Sequence, residues 1–329
     1  MSDSRVIPGR ALAAALQRWG LALYRDVPLA RFTTSRIGGP ADALVIVEEV
    51  QALADVVQSA WADEIPVTLL GGGSNVLIAD RGVRGLVVLN RARALRFEAN
   101  GRVWAASGAL LPTLARLCAE RGWSGLEWAI GIPGTVGGAV VGNAGAHGGD
   151  IASCLESVDL LVPEEGIVIW KAEQLRLGYR TSRLKTWPTV PRPVVLAARF
   201  LLRPEDPEAI LERMAAFNAY RRRTQPGGAS IGSMFRNPPG DYAGRLIEAA
   251  GLKGARRGGI VISTLHANFF INEGSGTAAD VRALMAEAQR CVQERFGVLL
   301  ESEIEFVGEW EDETADSGGC AVRGEIRGA

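Results

Sequence analysis

The spacing of hydrophobic positions predicts short helices alternating with strands over the first 200 residues. Helical spacing covers residues 9–19 and 50–62, and a third predicted helix, residues 110–122, ends at Gly122. Shorter apolar runs predict strands at residues 42–48, 65–70, 85–90, 94–99, 101–107, 157–162, 166–170 and 193–202. No internal repeat accompanies these elements.

The pattern changes near residue 205, where RPEDPEAILERMAAFNAYRRR opens a long predicted helix. Because proline and acidic residues interrupt the chain there, we place a domain boundary at this point. Further helices are predicted at 241–254 and 278–295, with strands at 268–272 and 298–307. Residues 311–329 are polar and glycine-rich, which predicts a disordered tail.

Composition and charge favour a soluble, cytoplasmic protein. The chain of 329 residues carries 36 basic and 37 acidic side chains, so no net field draws it to nucleic acid or to an anionic membrane. The chain lacks a signal-peptide pattern and an apolar stretch of membrane-spanning length. The cysteines show neither CxxC spacing nor a disulfide-dense pattern, which favours a reducing compartment; they are Cys118, Cys154, Cys291 and Cys320.

Histidine is scarce, since only His147 and His266 occur. A histidine-type zinc site and a Ser-His-Asp triad are therefore hard to assemble, and we expect no metal. If the protein transfers protons, the donor belongs to another residue type.

Two glycine-rich segments favour a ligand that runs along exposed backbone. GGGSN directly follows a predicted strand, and GIPGTVGGAVVGNAGAHGGD, residues 131–150, contains eight glycines. The long segment is not expected to be helical, because each interior glycine costs a helix about 1 kcal/mol relative to alanine. Converging backbone amides suit an anion, so a dinucleotide with a pyrophosphate and a flat ring fits both segments. A tight strand turn and a close-packed structural loop remain the alternatives.

A third glycine motif, INEGSGTAAD, offers Gly274, Gly276 and Ala279 in the GxGxxA spacing of nicotinamide-cofactor folds. Thr277 and Asp280 in the same stretch are also an ordinary helix start. Because no further strand–helix–strand units surround this motif, we favour the helix start.

Six segments, in order, closely resemble the UDP-N-acetylenolpyruvoylglucosamine reductase family over residues 30–308. They are TTSRIGGPAD, GGGSNVLI, GIPGTVGGAVVGNAGA, LGYRTSRLK, GASIGSMFRNPPGDYAGRLIEAAGLKG, and ISTLHANFFIN followed by VLLESEIEFVG. The short connection after YRTS resembles the form that lacks an extra substrate-capping loop. The resemblance implies an α+β fold, with a two-lobed FAD-binding domain of the PCMH (vanillyl-alcohol-oxidase) type and a smaller α/β substrate domain.

The domain bounds expected from the resemblance follow from these motifs. The FAD-binding domain covers residues 26–204, with a final strand at 298–308 returning to it, and the substrate domain covers residues 205–297. Residues 1–25 form an N-terminal extension, and the tail begins at residue 311.

The resemblance also implies the reaction and its cofactors. Members reduce UDP-N-acetyl-3-O-(1-carboxyvinyl)-glucosamine to UDP-N-acetylmuramate with NADPH and noncovalent FAD, in peptidoglycan precursor synthesis. We expect a cytoplasmic monomer that binds neither nucleic acid nor membrane, with no flavin bond to His147. The residues implied for FAD are Gly71, Gly72, Gly73, Ser74, Asn75, Gly131, Ile132, Pro133, Gly134, Thr135, Gly137, Gly138, Asn143, Ala144, Gly145 and Ala146.

An enol ether conjugated to a carboxylate sets three chemical demands on such a site. It needs a fixed cation at the carboxylate, a group that shares or supplies a proton there, and an acid for the carbon next to it. The resemblance assigns these roles to Arg180, Glu303 and Ser233, respectively. From the residues alone, Arg180 is one of several arginines in a basic run, and Ser230 is a rival to Ser233.

The choice of Glu303 also depends on the resemblance. In VLLESEIEFV, alternation puts Leu300, Ile304 and Phe306 on an apolar face and three glutamates on the other. Alternation alone does not choose among Glu301, Glu303 and Glu305.

Further substrate contacts are implied at Asn237 and His266, although His266 also suits a hydrogen-bonded core position. The run Arg221 to Arg223 could meet the UDP pyrophosphate or could be solvated.

Two other functions remain open. An alcohol or sugar oxidase on the same scaffold needs a base at the ring, and a non-catalytic binder would have lost the Arg/Ser/Glu set.

Overall fold

The computed structural model describes residues 8–310. The predicted disordered tail, residues 311–329, lies outside the described residues, as does the beginning of the predicted N-terminal extension. The chain divides into two compact units. The first contains residues up to 28, 40–74 and 83–223, and the second contains residues 29–39, 75–82 and the chain from 224 onward.

The described residues form both helices and strands. The helices are α1 (Arg10–Arg18), α2 (Val50–Ala62), α3 (Leu111–Ala119), α4 (Val136–Gly142), α5 (Pro207–Thr224), α6 (Ala243–Ala249) and α7 (Ala278–Phe296). The strands are β1 (Leu23–Pro28), β2 (Pro40–Val47), β3 (Val67–Leu70), β4 (Val76–Ile78), β5 (Val83–Asn90), β6 (Leu95–Phe97), β7 (Arg102–Ala106), β8 (Trp123–Ser124), β9 (Gly145–Ala146), β10 (Gly149–Asp150), β11 (Leu155–Val162), β12 (Gly166–Lys171), β13 (Val194–Leu201), β14 (Arg203–Pro204), β15 (Arg256–Arg257), β16 (Ile260–Ile262), β17 (Phe270–Asn272) and β18 (Glu305–Val307).

The first unit is built on two sheets. One has the strand order β1-β2-β5-β3, in which β5 runs parallel to both β2 and β3. Apolar side chains of α1 and α2 pack with this sheet in one core, among them Leu12, Leu53 and Val88. The other sheet, in the order β12-β11-β13-β7-β6, is antiparallel and has a core with α3 and α4.

One prediction about the glycine-rich segment is wrong, because residues 136–142 form α4. Val136 and Val140 are fully buried and Ala139 nearly so, and this burial offsets the low helix propensity of the glycines. Gly137 also has a packing reason, since a Cβ there would lie 2.9 Å from the Cβ of Ser107. The helix ends at Asn143, whose φ of 43° is left-handed.

Other boundaries differ from the predicted ones for physical reasons. The strand β1 was not predicted, because its side chains are mostly exposed and show no apolar alternation. Within residues 298–307 only β18 forms a strand, preceded by a single bridge at Ser302. The predicted boundary near residue 205 precedes α5, whereas the division between the units follows Arg223, so almost all of α5 belongs to the first unit.

The second unit combines a small sheet with two helices. Strands β15, β16 and β17 form an antiparallel sheet, and apolar residues of α6 and α7 share its core, among them Leu246, Ile262 and Leu284. Strand β18 pairs in parallel with β4. Single bridges connect Ser233 with Phe269 and Phe235 with Ser302.

Candidate active site

In the first unit, residues 71–74 of the loop GGGSN lie against the loop GIPGT. The hydroxyl group of Ser74 donates to the carbonyl oxygen of Pro133 over 2.9 Å. A Cβ at Gly72 would lie 3.1 Å from the Cα of Gly134. The structure thus brings together the two segments that we predicted to share one ligand.

The backbone of the GGGSN loop fits the pyrophosphate of FAD. Gly73 has a φ of 61°, a left-handed conformation that glycine adopts at little cost. Within residues 8–310, the amides of Gly72 and Ser74 donate to no protein acceptor. Arg91 donates through Nη1 to the carbonyl oxygen of Gly71 over 2.9 Å, which orients the loop. Free amides beside a guanidinium suit an anionic group.

Asn143 uses its whole side-chain amide inside the first unit. Its Nδ2 donates to Asp150 Oδ2 over 3.1 Å and to the carbonyl oxygen of Gly178 over 2.9 Å, and its Oδ1 accepts from Ala152 N over 3.0 Å. The side chain is 3% exposed. Its assignment to FAD stays a prediction. The structure adds a second role, since the side chain holds the segments that contain Gly178 and Ala152.

Arg180 lies on a tight turn that is fixed to the glycine-rich segment. Gly178 and Thr181 exchange backbone hydrogen bonds of 3.0 and 3.1 Å across the turn, and Arg180 has a φ of 55°. Ser182 donates through its hydroxyl group to the carbonyl oxygen of Val141 over 2.6 Å. The half-buried Arg180 guanidinium lies 5.7 Å from the ring centre of Tyr179.

In the second unit, the segments that carry Ser233 and Glu303 are neighbours. The amide of Glu303 donates to the carbonyl oxygen of Met234 over 2.9 Å. Asn75, the last residue of GGGSN, belongs to the same unit and donates through Nδ2 to the carbonyl oxygen of Glu303 over 3.3 Å. The rival Ser230 follows Ala229, whose bridge is to Asn272 instead. Only Ser233 directly precedes Met234, the residue that pairs with Glu303.

Asn237 and His266, the predicted substrate contacts, each have a partner within the second unit. Asn237 accepts through Oδ1 from the amide of Ala243 over 3.1 Å at the start of α6. His266 accepts through Nδ1 from the amide of Asn268 over 3.2 Å. Burial lowers the pKa of His266 below its ordinary value, which keeps the imidazole neutral and suits an acceptor.

Comparison with known proteins identifies the family. The C-terminal domain of UDP-N-acetylenolpyruvoylglucosamine reductase matches residues 224–307, and an FAD binding domain matches residues 41–170. A reductase of this name from Rubrobacter xylanophilus is 48% identical over 89% of this chain and 98% of its own length. One from Chloroflexus aggregans is 42% identical over 87% of this chain and 98% of its own.

The chain belongs to the UDP-N-acetylenolpyruvoylglucosamine reductase family. A crystal structure of the reductase from Thermus caldophilus has 39% identity and a TM-score of 0.74, and the match covers 87% of this chain and 99% of the other. These matches confirm the resemblance, the α+β class with its FAD-binding domain, and an oxidoreductase that uses FAD. Among residues 8–310, no helix has the length and apolar character needed to cross a bilayer.

The GxGxxA motif of this reductase does not offer a free anion site. Thr277 and Asp280 form a reciprocal cap at the start of α7. The carboxylate of Asp80 accepts from the amides of Ala278 and Ala279 over 2.9 and 3.0 Å. The protein's own carboxylate therefore occupies the helix N-terminus, and the helix-start interpretation is confirmed.

One detail of the predicted acidic strand is wrong. Leu300 and Ile304 are buried, but Phe306 is 43% exposed and its ring contacts Trp310 with a centre-to-centre distance of 5.5 Å. The apolar face therefore does not continue to Phe306, because the regular alternation is interrupted before β18. Glu303 is half-buried, whereas Glu301 is exposed.

The sequence did not predict the contacts that α5 makes near the glycine loops. Arg221 on α5 lies against Gly131, since a Cβ at that glycine would be 3.2 Å from Arg221 Nε. Burial lowers the pKa of Arg221. The ring of His147 stacks on Phe217 with 4.3 Å between ring centres. Only the aromatic and basic spacing of α5 signalled these contacts, and it did not identify their partners.

Proposed function

We propose that this protein reduces UDP-N-acetyl-3-O-(1-carboxyvinyl)-glucosamine to UDP-N-acetylmuramate, with NADPH as the reductant, in peptidoglycan precursor synthesis. When bound, FAD supplies to the substrate the hydride that NADPH provides. The observation that carries the proposal is the packing of GGGSN against GIPGT in a chain of this family. The amides of these loops hold the FAD pyrophosphate. Their glycines lack side chains, so the protein backbone can approach the pyrophosphate closely.

Arg180 binds the carboxylate of the enolpyruvyl group. A guanidinium stays charged and grips a carboxylate through two parallel hydrogen bonds. As hydride reaches the terminal vinyl carbon, negative charge spreads from the adjacent carbon into this carboxylate. A cation held on a fixed turn stabilises that charge without reorganising.

Ser233 donates the proton that completes the reduction. The carbon next to the carboxylate accepts the serine proton as the C–H bond forms, and the serine oxygen regains a proton from solvent. A serine hydroxyl group is a weak acid, but the dianionic carbon is basic enough to take its proton. In the part of the chain that the structure describes, the Ser233 hydroxyl makes no hydrogen bond to protein, so it is available to a ligand.

Glu303 shares a proton with the substrate carboxylate as its charge increases. Its support is the backbone hydrogen bond to Met234, which puts its segment beside that of Ser233. Asn237, His266 and Arg221 are further contacts for the UDP-sugar.

The enzyme acts in the cytoplasm, where NADPH and UDP-sugars are made, and its product contributes to cell shape and division.

A spectrum of the purified protein tests this function. NADPH added without oxygen should bleach the yellow flavin, and only the enolpyruvyl substrate should restore the colour. Denaturation should release all of the flavin, as noncovalent binding requires. Recovery of colour without the substrate, or flavin that stays with the precipitated chain, would contradict the proposal and favour an oxidase.

A further inference from the structure

The segment Ser233–Arg236 is held from both sides within the second unit. On one side, the amide of Met234 donates to the carbonyl oxygen of Asn268 over 2.9 Å. On the other, the amide of Arg236 donates to the carbonyl oxygen of Glu301 over 2.9 Å. The segment therefore behaves as the central strand of a small, irregular sheet.

The side chain of Asn268 supplies hydrogen bonds that this irregular sheet lacks. Its Oδ1 accepts from the amide of Phe235 over 3.0 Å, and its Nδ2 donates to the carbonyl oxygen of the same residue over 2.8 Å. Asn268 is 3% exposed and Phe235 is fully buried. Because water does not reach these groups, losing the side-chain amide leaves two buried backbone groups unpaired.

Asn268 is itself held in place by the preceding turn. Its amide donates to His266 Nδ1 over 3.2 Å, and the amide of Phe269 donates to the carbonyl oxygen of His266 over 3.0 Å. Both ends of the Asn268 side chain and its own backbone are thus fixed. The paired bonds to Phe235 lie two residues from Ser233.

We propose that Asn268 is a positioning residue for proton transfer from Ser233, which it orients by clamping the backbone of Phe235. This inference rests on the role proposed for Ser233. Removing the clamp lets the strand shift, and a displacement of about 1 Å at a reacting group can cost about 100-fold in rate. Hydride transfer from NADPH needs no proton from Ser233 and should not depend on the clamp.

The test separates the two half-reactions in Asn268→Ala by stopped-flow absorbance. Flavin reduction by NADPH should stay within about twofold of wild type, whereas reoxidation by the enolpyruvyl substrate should slow about 10- to 100-fold. Reoxidation should also show a larger solvent deuterium isotope effect, because proton transfer from a displaced Ser233 limits the rate more strongly. If Asn268→Ala does not fold, Asn268→Asp keeps the acceptor for Phe235 and supplies the same comparison.

Asn272→Ala is the matched control. Asn272 is 8% exposed, and its side chain makes three hydrogen bonds, with Gly274, Gly276 and Ser35, each 2.9 Å long. Its loss should destabilise the same unit without changing either half-reaction. Equal slowing of reoxidation in both variants would overturn the inference. Normal reoxidation in Asn268→Ala, with Ser233→Ala impaired, would overturn it as well.

The variant Ser233→Ala tests the proposed proton donor separately from the positioning role of Asn268. If Ser233→Ala itself reoxidises normally with substrate, the proposed proton donor is wrong. If Ser233→Ala is impaired, only the Asn268 variants decide the positioning role.

Discussion

The Nδ2 group of Asn143 donates to the carbonyl oxygen of Gly178 over 2.9 Å. This hydrogen bond joins the end of α4 to the turn on which Arg180 lies. The glycine-rich segment is thus more than a lining for a cofactor, because it also holds the residue proposed to bind the substrate carboxylate.

Asn143→Ala should therefore impair the same step as Arg180→Ala. We expect the free energy of unfolding to fall by about 1–3 kcal/mol, because buried polar groups lose their partners. At saturating FAD, reoxidation by substrate should slow and the KM for substrate should rise, while reduction by NADPH changes little. Urea denaturation and stopped-flow absorbance measure these effects. Arg176→Ala, which alters an exposed arginine of the same basic run, is the control. A defect confined to NADPH reduction would contradict the role of this hydrogen bond.

Gly72→Ala should weaken FAD binding without any catalytic assay. The new Cβ would lie 3.1 Å from the backbone of Gly134, so the two loops must separate. We expect the dissociation constant for FAD to rise at least about tenfold, equivalent to about 1.4 kcal/mol. Quenching of FAD fluorescence by the apoprotein measures it.

Gly142→Ala is the control for this change. A Cβ at Gly142 meets open space, and alanine is favoured over glycine in a helix by about 1 kcal/mol. This variant should keep its FAD affinity and gain slightly in stability. Equal loss of affinity in both variants would show that the contact between the loops is not the cause.

Ser233→Ala should separate the two half-reactions. A positioned proton donor is worth about 10²–10⁴-fold, so reoxidation by substrate should fall by this factor while NADPH still bleaches the flavin. Ser230→Ala should change little, because its neighbour Ala229 pairs with Asn272 rather than with the Glu303 segment. Equal slowing of both halves in Ser233→Ala would mean that the serine holds structure or flavin.

The imidazole of His266 should make the free energy of unfolding depend on pH at pH values below 6.5, the ordinary pKa of the side chain. Burial is the main cause that lowers this pKa from 6.5, while the charge of Lys253 lowers it further and the charge of Glu248 raises it. The unfolded chain then binds a proton that the folded chain excludes. The stabilisation is therefore complete above pH 6.5 and is lost as the pH falls from 6.5 through the lowered pKa. Urea denaturation across this range should show a shallower pH dependence in His266→Gln than in wild type.

Periodicity predicted the elements whose local and tertiary preferences agree. The amphipathic helices α1 and α2 were found to within two residues, and Thr277 marked the start of α7 through its cap. The strand β1 was missed because its exposed residues carry no apolar alternation. Helix α4 was not predicted. Burial of Val136 and Val140 offsets the low helix propensity of its glycines only once the core has formed.

Glycine spacing and motif order, which are local properties of the chain, were enough to predict the family, the FAD-binding domain and the motifs that carry the candidate residues. Which of these motifs contact one another became visible only in the folded structure. Backbone register puts Glu303 next to Met234, the Asp80 carboxylate fills the N-terminus of α7, and Asn268 clamps Phe235. Each of these pairs joins residues that are more than 30 positions apart. No local pattern encodes such contacts, since they depend on how segments that are distant in the chain pack against one another in the folded protein.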